Sequence, residues 1–231
     1  MAKLKEEPVS LSLTIRTMDF DACDESLHTT FWRDAPRASL GNSDVCFAVN
    51  APFDYTAVDT HSEVVFFLDQ MPMDRKLPKN GYQVIYQAGD ADSDFRAWAE
   101  AVMPYLREAL LGSGMICTDY ADFVSVLAES TSRRLRCELI SYDHPSQLPA
   151  AKLDGLSFKT VFANLFGRAD LSLAMYIELD EALPNFNPHL VFYKLGLKFY
   201  PCEPPMLLLL GEPETDISAS LACKTIDPAG F

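Results

Sequence analysis

Positive charge is what this sequence has least of. Against 33 Asp and Glu it sets only 19 Lys and Arg, a formal charge of −14 over 231 residues, and the basic residues are scattered along the chain. Affinity for nucleic-acid phosphates depends on clustered Lys and Arg, so no nucleic acid is expected as a partner. An anionic membrane surface is equally unfavourable, and no apolar run approaches the roughly 20 residues a spanning helix needs, so no membrane insertion is expected. The run at 207–210 is short enough to be a buried strand. The six cysteines (Cys23, Cys46, Cys117, Cys137, Cys202, Cys223) include no C-x-x-C pair, and the four histidines (His28, His61, His144, His189) no i, i+4 pair. Reduced, individually buried thiols are therefore expected, with no disulfide frame and no zinc site. The opening Met-Ala-Lys-Leu-Lys-Glu-Glu-Pro has no apolar stretch behind its lysines. No secretory leader is expected, and a cytoplasmic location is the default. Internal repeats and low-complexity segments are absent from the sequence.

What is present is a core. Hydrophobic residues make up 48% of the chain, the ordinary level for a folded globule. Residues 9–15 alternate apolar and polar at period two, and 45–49, 64–68 and 82–86 are short apolar runs punctuated by Pro72, Pro78 and Asn80-Gly81, so all four read as strands. Residues 18–42 have weak periodicity and read as a long connection. From Asp94 the period changes: Phe95, Trp98, Ala99, Val102, Leu106, Ala109 and Leu110 share one helical face. Gly112-Ser-Gly114 ends this helix, and Pro104 inside it removes one backbone donor. Beyond it the spacing predicts a helix at about 120–131, strands at 134–142 and 157–166, a helix at 173–183, and strands at 189–198 and 205–211. Residues 143–154 read as a loop, and the chain from Glu212 as a polar, partly free tail.

The run Gly114-Met-Ile-Cys-Thr-Asp-Tyr-Ala-Asp-Phe-Val-Ser-Val-Leu127 opens an apolar helix with two carboxylates three apart, directly after a glycine-broken helix. It resembles the synergy loop of the FtsZ and tubulin superfamily, whose Asn-x-Asp-x-x-Asp reaches from one filament subunit into the nucleotide pocket of the next. Asp119 and Asp122 match the two acids, and Cys117 stands where the asparagine would. Two further stretches keep the family's order. Phe47-Ala-Val-Asn50 is similar to the second strand of FtsZ, and Thr160-Val-Phe-Ala-Asn-Leu-Phe-Gly-Arg-Ala-Asp-Leu-Ser-Leu173 is similar to its strand, glycine, Asp-Leu-Ser-Leu, helix segment.

The resemblance implies an α/β chain with an α+β C-terminal part, a reduced tubulin/FtsZ-like fold. It implies a sheet region over 1–93, a long central helix over 94–113, a small α+β domain with a four-stranded mixed sheet over 114–215, and a tail over 216–231. It does not imply a cofactor. The family's Gly-Gly-Gly-Thr-Gly-Thr-Gly loop has no counterpart among the ten glycines. Glycines let backbone N–H groups approach phosphate closely, whereas Gln87-Ala-Gly-Asp90 offers one glycine and an acid at that place.

The candidate partner-facing loop is Met115, Cys117, Thr118, Asp119 and Asp122. Spacing alone gives the two acids another role, an N-cap and a reciprocal acid that satisfy free helix N–H groups. The resemblance adds a docking role, in which they project into a neighbouring subunit's nucleotide site to orient water. No catalytic, metal or cofactor residue is assigned. Asp90-Ala-Asp-Ser-Asp94 starts like a calcium loop, but Phe95 takes the place of its glycine and Ala101 that of its last acid, so it reads as the acidic start of a helix. Phe31-Trp32 and Trp98 read as core. The expected function is a non-hydrolysing interaction protein, a modulator or capper of an FtsZ- or tubulin-type filament or a scaffold subunit of another assembly, with self-association possible. The alternative is an enzyme with a site between the two halves that uses Cys117 or the Asp119/Asp122 pair.

Overall fold

The computed structural model describes residues 13–29, 43–57, 61–87, 94–142, 150–169 and 171–214. Its frame is one ten-stranded mixed sheet in the order β2-β1-β3-β4-β5-β7-β10-β8-β9-β6. The strands are β1 (Thr14–Asp19), β2 (Asp24–Thr29), β3 (Val45–Val49), β4 (Val64–Asp69), β5 (Gly81–Ile85), β6 (Gly114–Ile116), β7 (Arg134–Ser141), β8 (Phe158–Gly167), β9 (Phe192–Phe199) and β10 (Met206–Pro213). Strands β1, β3, β4, β5 and β7 run parallel, β10 lies antiparallel between β7 and β8, and β9 runs parallel to β8. The N-terminal strands and the four strands β7, β10, β8 and β9 meet where Gln83, Val84 and Ile85 pair with Arg134, Leu135 and Arg136.

The apolar runs are strands buried on both faces, which is why β3 and β4 read as continuous hydrophobic segments rather than alternating ones. Val45, Phe47 and Val49, with Val64, Phe66 and Leu68, face α1 (Phe95–Leu111) and α2 (Tyr120–Glu129). Cys46, Ala48, Val65 and Phe67 face the other way, under Met18, Phe20, Tyr55 and Leu77. On that second face, α3 (Ala150–Leu153) and α4 (Leu173–Phe186) cover the C-terminal strands through Leu153, Met175, Leu179 and Leu183. Trp98 packs against the core beside Tyr86 and Phe95, as expected. Asp94 caps α1, its side chain accepting from the Ala97 N–H at 3.0 Å. The rest of the suspected calcium loop, Phe31-Trp32, and the tail beyond 214 lie outside the described residues.

Five expectations are corrected. The first described strand, Thr14–Asp19, runs past the expected end at 15, because its pairing with β3 continues to Asp19↔Val49 after the period-two pattern has stopped; residues 9–12 of the expected strand lie outside the described residues. The connection 18–42 contains a hairpin: β2 is an edge strand with an exposed, polar sequence, so backbone pairing with β1 defines it without an apolar period. The loop 143–154 ends in α3. Glu212 starts no free tail: it is 2% exposed within β10, and its carboxylate accepts from the Thr131 N–H at 2.6 Å and hydroxyl at 2.8 Å. Not all thiols are buried either: among the described cysteines Cys23 is exposed, as is Cys117 in its candidate partner-facing loop, Cys202 is half-buried, and Cys46 and Cys137 sit in the core.

A buried ion pair fixes the loops behind β3 and β4. The Arg75 guanidinium meets Asp69 at 2.9 Å with both side chains essentially inaccessible, and Gln83 Nε2 donates to the same carboxylate at 2.6 Å. Arg75 also donates to the Ala51 carbonyl at 2.8 Å and the Pro52 carbonyl at 2.6 Å, and lies 4.6 Å over the Phe67 ring. Removing one partner of such a pair strands a buried charge, which costs about 3–5 kcal/mol. Arg75→Met is therefore expected to lower the urea midpoint by that equivalent. Adding Asp69→Leu to it should recover part of the loss in a double-mutant cycle.

Candidate functional site

The loop between α1 and α2 is built from the C-terminal half of the sheet. Its first anchor is Lys198 on β9, 1% exposed. The Lys198 Nζ donates to the Gly112 carbonyl at 2.9 Å and the Thr118 carbonyl at 2.7 Å, so one ammonium ties the end of α1 to the residue before the next cap. Burial lowers the Lys198 pKa, and the nearby Cys117, Asp119, Glu108 and Asp122 only partly oppose this. A second anchor is the Thr118 hydroxyl, which donates to Asn164 Oδ1 on β8 at 2.8 Å. Both contacts need close approach of the strand: a Cβ at Gly196 would collide with Asn164 Oδ1 and Thr118 Oγ1, and one at Gly114 would collide with the Leu197 carbonyl.

On this base, α2 starts with a complete capping box. Asp119 accepts from the Asp122 N–H at 2.9 Å, and Asp122 accepts from the Asp119 N–H at 3.2 Å. Asp122 also meets Lys194 Nζ at 2.8 Å. Partial burial pushes the Asp122 carboxyl up, but Lys194 and the Asp119 N–H outweigh it and hold it below its ordinary value. The cap role read from spacing is thus present, and it leaves the Asp119 side chain exposed.

Of the five candidate residues, Met115 (48% exposed), Cys117 and Asp119 face outward, while Asp122 is half-buried. Thr118 is 4% exposed and holds the loop from behind, so its side chain is internal and does not face a partner. Cys117 Sγ donates to the Gly114 carbonyl at 3.3 Å. Of the described histidines, His28 contacts Arg107 and His189 pairs with Glu214. Lys194, Lys198 and Asn164 escaped the sequence reading because strand residues carry no signal of which distant loop they hold.

The first turn of α2 reaches the amino ends of the parallel strands. The Tyr120 hydroxyl donates to Glu63 Oε2, just ahead of β4, at 3.1 Å. Burial raises the Tyr120 pKa strongly, and the Glu63 charge adds to the effect. The opposite, carboxyl-terminal edge is acidic. Asp19 there accepts from the Asp21 and Ala22 N–H groups, both at 2.9 Å, and Asn50 donates to both Asp21 oxygens at 2.8 and 2.9 Å. A shallow cleft of about 180 Å³ beside α1 is lined by Asp19, Asp21, Asp24 and Glu100 with Arg96 and Arg107. The loops 20–23, 50–57 and 70–80 that follow β1, β3 and β4 contain no glycine. In these described loops carboxylates stand where a phosphate cradle would need clustered backbone N–H groups. Among the described residues no helix is long and apolar enough to cross a membrane.

No protein-family model and no curated protein sequence matches the chain. Solved structures do. CetZ from Methanosaeta thermophila superposes with a TM-score of 0.51 at 13% identity, over 78% of this chain and 64% of its own length. An FtsZ variant from M. jannaschii superposes at 0.50 and 12% identity, over 73% and 64%. TubZ of Bacillus thuringiensis serovar israelensis, in GDP-form protofilaments, superposes at 0.50 and 12% identity, over 78% and 64%. The fold is therefore tubulin/FtsZ-like, and the chain spans just under two thirds of the length of these relatives.

Two outcomes test the site. Lys198→Met is expected to speed hydrogen exchange of the 112–119 amides by at least tenfold while those of β3 and β4 stay protected. The Asp122 carboxyl is lowered in the folded protein, so its contribution is present above the ordinary carboxylate pKa of about 3.9 and lost as pH falls through the lowered value. The stability difference between wild type and Asp122→Asn should accordingly shrink across that acid range in urea titrations.

Proposed function

We propose that the protein is a non-hydrolysing assembly protein of tubulin-like shape, which docks on another subunit through the 114–122 loop. One observation carries the reading. The loop that resembles a synergy loop is held in shape by Lys198, Asn164 and Lys194, and it presents Met115, Cys117 and the Asp119 carboxylate outward. A preorganised acidic loop loses little entropy on docking, which favours a protein role for it. The acidic loops after β1, β3 and β4, which hold no glycine, support the other half of the reading, that the chain offers no phosphate cradle of its own. A subunit that offers this loop face but no nucleotide site for the next subunit adds to the end of a head-to-tail filament and stops growth there. The partner is a filament subunit of the FtsZ, CetZ or TubZ kind, or the corresponding component of another assembly.

The test adds purified protein to such a subunit assembling with GTP, and follows polymer by sedimentation and turnover by phosphate release. Wild type is expected to reduce polymer mass at substoichiometric ratios and to change GTP turnover. Asp119→Ala with Asp122→Ala should remove both effects, with a loss of stability of only about 1–2 kcal/mol from the missing cap. If wild type changes neither quantity for any subunit tried, the reading fails. A thermal shift of the isolated protein with GTP or GDP would overturn its nucleotide-free half.

A further inference from the structure

The carboxyl-edge loops have a feature that the docking loop does not explain. Phe53 is 58% exposed and Met71 60%, although both loops are tied to the buried Arg75–Asp69 pair. The loop after β3 is bracketed by Asn50 at φ 49° and Ala57 at φ 54°. The left-handed region is unfavourable for alanine, which has neither a glycine's freedom nor a side-chain hydrogen bond to offset it. Between these residues the backbone is held by Arg75, whose guanidinium takes the Ala51 and Pro52 carbonyls and, through Asp69, binds the loop after β4 that carries Met71. A buried ion pair and a left-handed alanine therefore fix the two segments that display large apolar side chains to water. The surrounding charge is mostly negative: Asp21, Asp54 and Asp74 are exposed and Asp19 half-exposed, against Lys76 and Lys79 in the described loops and Arg96 beside Asp19 and Asp21.

We propose that loops 50–57 and 70–75 form a second docking surface, for a protein segment that carries lysine or arginine beside a large apolar side chain. Rigid aromatic and methionine anchors are what protein interfaces enrich, and a fixed loop keeps the entropy lost on binding small. The acids select the partner's sign and speed its approach. The same acids repel phosphate, so a nucleotide, a nucleic acid and an anionic membrane are the wrong chemistry for this face.

The test titrates the full chain with a short peptide of alternating lysine and leucine, and with a matched peptide of alternating glutamate and leucine, followed by amide NMR shifts. Lysine–leucine peptide is expected to shift residues 50–57 and 70–75, to weaken with added salt, and to bind at least tenfold more weakly to Phe53→Ser with Met71→Ser. Leu173→Ser with Ile177→Ser, on the exposed side of α4, should leave its affinity unchanged. Shifts centred on α4, equal binding of both peptides, or no loss with the Phe53 and Met71 pair would overturn the proposal. So would Phe53-dependent self-association in sedimentation, which would assign the face to a second copy. These substitutions leave the 114–122 loop untouched, so failure here and failure of filament modulation are separate results.

Discussion

A succession of aromatic rings holds the two ends of the sheet around one interior. Phe47 stacks on Phe66 at 5.3 Å, Phe66 meets Phe123 at 5.5 Å, and Phe123 meets Phe162 at 5.0 Å, running from β3 and β4 through α2 to β8. Strand pairing alone joins the halves only through the short β5–β7 ladder. A sheet of ten strands twists by roughly 20–25° per strand, so with three residue pairs at the β5–β7 junction the halves depend on what packs across it. Helix α2 does so, and its position follows from Phe123. Because Asp119 begins that helix, the core contact of one ring also decides where the exposed carboxylate stands.

Internal charges shape the loops by a common rule. Arg75, Lys198 and Glu212 are each nearly inaccessible. Each meets backbone groups of a segment far from its own: Arg75 at Ala51 and Pro52, Lys198 at Gly112 and Thr118, Glu212 at Thr131. A desolvated charge must keep hydrogen-bond partners, and loop backbone has unpaired groups to give. The acidic balance of the chain is therefore a surface property, and the buried ions act as staples.

The sequence reading was strongest where burial was simple. The long helix from Phe95 to Leu111, its Asp94 cap and the strands at 45–49 and 158–167 stood close to their expected bounds, because apolar spacing follows from which faces are covered. The edge hairpin was missed because β2 is polar and exposed, with nothing to impose a period. Glu212 was misread as tail because an acid inside a strand looks like an acid after one until its partner, Thr131, is seen. At the candidate site, the cap pair Asp119 and Asp122 was legible from its spacing. Lys194, Lys198 and Asn164 were not, since their role depends on tertiary register: Gly114 lying opposite Lys198, and Asn164 opposite Gly196.

The order of the sheet has a bearing on biosynthesis. Strand β10 is the last element of the described chain, yet it sits between β7 and β8, pairing with both along most of its length. Until Met206–Pro213 has left the ribosome, β7 and β8 each expose an unpaired apolar edge, and the ladder that unites the C-terminal strands does not exist. The early strands can pair as they emerge, but the completed core waits for Met206–Pro213. The nascent chain therefore passes through a stage with two vacant, sticky strand edges, a stage at which a ribosome-bound chaperone has something to hold.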